Sequence, residues 1–222
     1  MRPMSDQSSL FPKSMTGRIG LVMVLFMLAG FAGFLGYRMG DPGSQGLSVE
    51  NSGRVPIGGP FTLVDTSGKT VTEKDLLGRY SMIYFGYTYC PDICPTALAT
   101  VARSLDLLEI VDPHSAQMVR PVFITIDPER DTQEAVASYV EAFHPRLLGL
   151  TGTDEQVAKA AKAYRVFYQK VHPDTATEYL MDHASSIFLM GPTGEYVGHF
   201  PHNMTPDEVA RRLEDVVVGA QS

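Results

Sequence analysis

The chain has 222 residues, enough for one well-buried core and a short appendage. Hydrophobic residues make up 44% and charged residues 19%, which excludes general disorder. The net charge of −7 argues against a nucleic-acid binder, which needs a basic face. The charge is uneven: residues 1–40 hold Arg2, Lys13, Arg18 and Arg38 against Asp6, a net of +3, so the remainder carries −10.

Residues 19–37, IGLVMVLFMLAGFAGFLGY, run for 19 positions without a charge between Arg18 and Arg38. At about 1.5 Å per residue a helix of this length spans roughly the 30 Å of a bilayer core. The run predicts a single transmembrane anchor, with residues 1–18 kept in the cytoplasm by their positive charge and the rest sent outward. A cleaved signal peptide would carry a small-x-small site after the run, and YRMGDPG offers none. A core helix would not be apolar all round. The N-terminus is not especially Arg/Ser-rich, so the expected location is the bacterial inner membrane, with the C-terminal domain in the periplasm and the mitochondrial inner membrane as the alternative. Residues 38–59, rich in Gly, Ser and Pro, read as a flexible tether, and residues 60–222 as the globular domain.

Within that domain, FTLVDTSGKTVT (61–72) predicts a hairpin turning at Ser67-Gly68. The run YSMIYFGYTY (80–89) predicts a strand buried on both faces. After Pro95 the pattern turns helical, with Leu98, Val101, Ala102, Leu105 and Leu108 on one side. PVFITI (121–126) predicts a second buried strand. Asp131 with Glu134 resembles an N-terminal cap, followed by a stripe of Val136, Tyr139, Val140 and Phe143. LLGLTG (147–152) predicts a third, shorter strand. Thr153 and Gln156 form a capping box before a helix carrying Val157, Ala160, Ala161 and Tyr164. SSIFLM (185–190), the turn GPTG and EYVGHF predict a second hairpin. Thr205 and Glu208 form a second capping box, with Pro206 at the first helical position and Val209, Leu213, Val216 and Val217 as the last stripe. Strands alternating with helices imply a layered α/β domain, and a strand running into cysteines at a helix start is the thioredoxin-like arrangement.

Cys90 and Cys94 are the only cysteines in the chain. Residues four apart on a helix share a face, about 5–6 Å apart at Cβ, so both sulfurs can address one object. Three chemistries fit. A staple disulfide would close a tiny loop and gain little entropy. A redox dithiol fits the fold, although C-x-x-C is its ordinary spacing and this pair is one residue longer. A soft metal ion such as Cu(I) suits two thiolates with an imidazole as third ligand. A helix N-terminus lowers thiol pKa and favours the last two. A peroxidase of the peroxiredoxin type, P-x-x-x-T-x-x-C, is excluded: Ile83 and Tyr87 stand at its Pro and Thr places before Cys90, and Pro91 at the Thr place before Cys94. A purely structural membrane subunit would explain the anchor and not the cysteine pair.

Of the six histidines, His114, His144 and His172 read as solvated loop or helix-end residues. His199 and His202 read as a surface turn that could in principle bind a metal. His183 differs, because it lies directly before a predicted core strand and can pack against the cysteine turn.

GYTYCPDICPTAL (86–98) closely resembles the signature of the Sco/SenC copper chaperones, as do ITIDPERDT (124–132), LTGT…AYRVFY (150–168) and YLMDHASSIFLMGPTGE (179–195). The resemblance implies a thioredoxin-like fold that binds copper, as Cu(I) and in some states Cu(II), through Cys90, Cys94 and His183. It implies a metallochaperone rather than an enzyme, one that helps assemble the binuclear copper centre of cytochrome c oxidase subunit II. The alternative it leaves open is a thiol-disulfide oxidoreductase that reduces the cysteines of that subunit. Other periplasmic copper chaperones or thiol reductants are the remaining partners it suggests. Asp127 lies at a strand end facing the same edge, as a support for the site or as an ordinary turn aspartate, and Asp182 precedes the histidine whose ring it could orient.

Overall fold

A computed structural model of the chain describes Met27 and residues 56–172 and 178–219. The chain divides into two compact units, Met1–Ser48 and Val49–Ser222, and the architecture below is that of the second. Apart from Met27, the predicted anchor lies outside the described residues, as does the tether up to residue 55. Among the described residues no helix is long and apolar enough to cross a membrane.

The domain is built on a seven-stranded mixed sheet in the order β2-β1-β5-β4-β3-β8-β9. Its strands are β1 (Thr62–Asp65), β2 (Thr70–Thr72), β3 (Tyr80–Gly86), β4 (Val119–Thr125), β5 (Leu148–Thr151), β8 (Ile187–Met190) and β9 (Tyr196–Phe200). The central strands β3, β4 and β5 run parallel, and the two hairpins close the sheet at either side. Every residue of β3 is buried, as the unbroken apolar run requires of a strand covered on both faces. Helix α1 (Ile93–Val111) crosses from β3 to β4 and packs on α5 (Pro206–Gly219). Helix α3 (Gln133–Glu141) crosses from β4 to β5, and α4 (Asp154–Ala163) follows β5 and packs on β1. The Thr153–Gln156 capping box is present, and so is its counterpart at Thr205 and Glu208.

Three local readings are corrected. Helix α1 begins at Ile93, ahead of Pro95, and the proline is tolerated because the first-turn N–H it lacks would have had no intrahelical partner. A short helix α2 (Pro113–Gln117) takes the place of the loop around His114, its first amides held by the Asp112 side chain. A two-stranded ribbon outside the main sheet, β6 (Tyr168–Val171) with β7 (Leu180–His183), was not expected, and its register sets Tyr168 opposite His183.

Asp131 is a fourth correction. The cap of α3 is Thr132, whose side chain accepts from the Ala135 amide. Asp131 is fully buried instead, and burial pushes its pKa up. Its carboxylate accepts from Thr88 N (3.0 Å), Thr88 Oγ1 (2.6 Å) and Thr125 Oγ1 (2.6 Å), and its carbonyl accepts from Thr151 Oγ1 (3.0 Å). One side chain thereby ties the loop after β3 to β4. Asp131→Ala leaves a buried amide and two hydroxyls unpaired, so urea unfolding is expected to show a loss of about 3 kcal/mol. A loss below about 1 kcal/mol would show that the network carries little.

Candidate metal centre

The loop between β3 and α1 is short and pinned. Tyr87 is buried, Thr88 hangs from Asp131, and the Cys90 amide donates to the Tyr87 carbonyl (3.3 Å). The N-cap of α1 is Asp92, whose side chain makes no cap hydrogen bond. The amide of Cys94, second residue of the helix, donates instead to Cys90 Sγ (3.3 Å). The two cysteines therefore do not share a helical face. Cys90 sits in the turn two residues before the cap and its sulfur acts as the capping acceptor, satisfying an amide that the helix leaves over.

His183 comes from the end of β7 and meets the pair from the other side. Its Nε2 lies 3.5 Å from Cys94 Sγ, and its Nδ1 lies 3.0 Å from the Ala184 carbonyl oxygen. A carbonyl only accepts, so Nδ1 carries a proton, and Nε2 is the ring nitrogen turned to the sulfurs. Cys94 is fully buried and Cys90 is half-buried. Among the described residues no group of three or more His, Cys, Asp or Glu side chains stands ready-made as a metal cage. The imidazole lies 3.5 Å from Cys94 Sγ and also acts on Cys90, whose sulfur is bonded to the Cys94 amide.

The two thiols are electrostatically unequal. The hydrogen bond from Cys94 brings Cys90 down to about 3 against its burial, with His183 and the Asp92 and Cys94 backbone adding to the effect. The same bond to Cys90, together with burial, pushes Cys94 far up. Cys90 is thus the thiolate and Cys94 the thiol that donates to it, so one proton is shared within a set of two sulfurs and a nitrogen.

Residues not singled out in the sequence shape this pocket. Gly86 ends β3 where a Cβ would lie 3.0 Å from Cys94 Sγ and 2.8 Å from the Tyr84 ring. The rings of Tyr84 and Tyr87 stand edge-on to His183, with centroids at 6.2 and 6.1 Å. The buried Tyr84 hydroxyl has no well-formed hydrogen bond and borders Cys94, and its own burial, then the nearness of Cys94, raise its pKa. In sequence both tyrosines are indistinguishable from core aromatics of an apolar strand.

Asp127 is buried at the end of β4, where its carboxylate accepts from Arg130 Nε (2.6 Å) and the Tyr179 hydroxyl (2.8 Å). The Arg130 guanidinium lies 3.6 Å from the Tyr179 ring, 4.9 Å from that of Tyr89 and 5.8 Å from that of Tyr87. Asp127 therefore reaches the centre indirectly, through Arg130 and Tyr87. Asp182 is exposed, and strand alternation turns it away from its neighbour; the partner at His183 Nδ1 is Ala184. His199 stacks on Tyr196 away from the cysteines, and His114 and His172 are exposed. His144 is not solvated as expected: it is half-buried, accepts from the Arg146 amide at Nδ1 (3.0 Å), and burial lowers its pKa.

A thioredoxin-like α/β domain with a capped dithiol at a helix start and a histidine facing it defines a class of soft-metal or thiol-exchange protein. The SCO1/SenC family model matches residues 49–218, and the chain belongs to that family. It is 43% identical over 161 residues to the human "Protein SCO1 homolog, mitochondrial", a match covering 72% of this chain and 53% of that relative. The chain thus spans about half the length of that relative. Its fold is similar to the crystal structure of Arabidopsis thaliana ScoI with copper bound, at 41% identity and a TM-score of 0.67, over 74% of this chain and 98% of the other. It is also similar to Bradyrhizobium japonicum ScoI with copper bound, at 42% identity and a TM-score of 0.64, over 71% and 98%.

In the reduced chain Cys90 is expected to react first with iodoacetamide, at a rate nearly flat from about pH 8 to about pH 5, because its thiolate persists across that window. Peptide mapping of the alkylated cysteine checks this. A rate falling about tenfold per pH unit would show an ordinary thiol.

Proposed function

We propose that this chain is a membrane-tethered copper metallochaperone whose cargo is held by Cys90, Cys94 and His183. The observation that carries the reading is the approach of His183 Nε2 to Cys94 Sγ at 3.5 Å, on the same sulfur pair that the helix cap brings together. Two thiolates and an imidazole are the donor set that selects Cu(I) over harder ions, and the copper-bound relatives support it. Copper takes the place of the shared thiol proton. Half-buried Cys90 leaves one side of the centre open, so a partner's thiolate can enter and accept the ion by ligand exchange. Asp127, through Arg130, holds Tyr87 against the histidine ring. Asp182 has no assigned part in this mechanism.

In this reading residues 1–18 lie in the cytoplasm, 19–37 anchor the chain in the bacterial inner membrane, 38–59 form the tether, and 60–222 carry copper in the periplasm. The receiving partner is cytochrome c oxidase subunit II, at its binuclear copper centre, with periplasmic copper chaperones or thiol reductants upstream. A second reading, reduction of that subunit's cysteines, is favoured by the inequality of the thiols: an accessible thiolate beside a buried thiol is the arrangement that attacks a disulfide and then resolves the mixed disulfide.

The test is a titration of the reduced, detergent-purified full chain with Cu(I) against a competing chelator, in the absence of oxygen. One ion per chain is expected, lost in Cys90→Ser and in Cys94→Ser. His183→Ala is expected to weaken binding, with the Cu(II) spectrum changed most. Unchanged binding in both serine variants would sink the copper reading, and absent binding with a readily cycled disulfide would establish the reductase.

A further inference from the structure

The copper edge of the sheet lies where β3 and β4 end. The opposite edge, where the parallel strands begin, has a chemistry that the proposed function does not use. Each of the three is entered beside an arginine: Arg79 directly before β3, Arg120 as the second residue of β4, and Arg146 two residues before β5. Together with Lys69 they line a cleft of about 470 Å³ whose apolar walls include Val71, Val119, Leu147 and Leu148. Apolar walls lower the local dielectric and strengthen whatever charge interactions form there.

Two carboxylates share the cleft, each hydrogen-bonded within its own turn and each attracted to the cleft cations. Asp65 Oδ1 accepts from Ser67 N (2.8 Å), Ser67 Oγ (2.7 Å) and Lys69 N (3.0 Å), closing the β1–β2 turn. Asp75 Oδ2 accepts from Thr72 N and Oγ1, both at 2.8 Å. Arg120 Nη1 donates to the Asp75 carbonyl (2.5 Å), and Arg146 Nη2 donates to the Ala116 carbonyl (3.0 Å) with Glu109 3.6 Å from its Nη1. These are mostly neutral acceptors, which hold a guanidinium in place without cancelling its charge. Arg79 makes no hydrogen bond or ion pair among the described residues. Arg120 is partly desolvated and repelled by Arg79, and both effects lower its pKa against the attraction of Asp75. An acidic domain thus keeps four cations around one concave surface, two of them in mutual repulsion.

We propose that this cleft binds a phosphate-class anion, taken up by Arg79 and Arg120 with Arg146 and Lys69 as flanking charge. The planar guanidinium fork matches a phosphate's paired oxygens, and an anion between Arg79 and Arg120 relieves their repulsion. The same chemistry is offered by a free phosphate and by the headgroup of an anionic lipid in the membrane.

Calorimetric titration of the full chain in a zwitterionic detergent with inorganic phosphate tests the site. Saturable binding is expected, weakening as salt rises. Arg79→Gln is expected to reduce it about tenfold, the loss of one charge-assisted hydrogen bond, with Arg79→Lys between the two. Because Arg79 holds no other group, the urea midpoint is expected to stay unchanged in Arg79→Gln. Repeating the titration on chain reconstituted in discs of phosphatidylcholine, with and without phosphatidylglycerol, separates the sources. Phosphate affinity reduced by phosphatidylglycerol assigns the cleft to a headgroup, and unchanged affinity assigns it to a free phosphate. No saturable binding, or equal binding in wild type and Arg79→Gln, would overturn the proposal and leave a solvated basic patch.

Discussion

The candidate metal centre depends on one hydrogen bond, from the Cys94 amide to the Cys90 sulfur. The start of a helix leaves four amides without intrahelical partners, and an oxygen side chain at the cap ordinarily takes one of them. At α1 the cap residue is an aspartate that does not, and a sulfur two residues earlier does. The partial positive charge of the helix end then falls on that sulfur and favours its ionised form. The three-residue spacing follows from this geometry. Cys90 has to lie outside the helix to reach back to it, and Cys94 has to lie in the first turn to offer an amide. The same bond sets the thiolate beside the thiol, so a rule of helix termini decides which sulfur is charged.

Around the pair, two carboxylates from one stretch of chain do the positioning. Asp131 holds Thr88 in the cysteine loop to Thr125 on β4, and Asp127 holds Arg130 and Tyr179. Hydrogen bonds to charged groups contribute about 1.5–3 kcal/mol each, more than the roughly 0.5–1 kcal/mol of an exposed cation–π contact, so the carboxylates fix the frame and the aromatic rings fill it. Arg130 links the two: bonded to Asp127 and stacked on Tyr179, it passes order to Tyr87 and so to the face of the pocket that His183 meets.

What could be read in the sequence is what depends on period and local spacing. β3 and the later part of β4 are near-continuous apolar runs, the capping boxes at Thr153 and Thr205 are local, and the dithiol and His183 stand out by residue type. What could not be read depends on who is buried. Asp131 with Glu134 and Thr132 with Ala135 are both passable helix starts, and only the fold decides that the aspartate turns inward while Glu134 stays in the first turn. The ribbon β6–β7 is four residues a side with a polar face, too short and too wet to show a period. Tyr84 looks like any core aromatic until a sulfur is placed beside its hydroxyl.

The three proposed donors sit on supports of unequal strength. Cys94 belongs to a nineteen-residue helix and is fully buried, and Cys90 is bonded to that helix. His183 ends a four-residue strand of a two-stranded ribbon, a unit that is marginal by itself. The ribbon is held by its own register, by the buried Met181, by a long bond (3.4 Å) from the Ala184 amide to the Phe167 carbonyl, and at its far end by Tyr179 with Asp127 and Arg130 and by the Lys170–Glu129 ion pair. Displacing a sulfur from the pair means disturbing a helix cap and core packing, whereas displacing the imidazole means flexing a ribbon edge. Of the three proposed donors the histidine is therefore the one whose support costs least to deform.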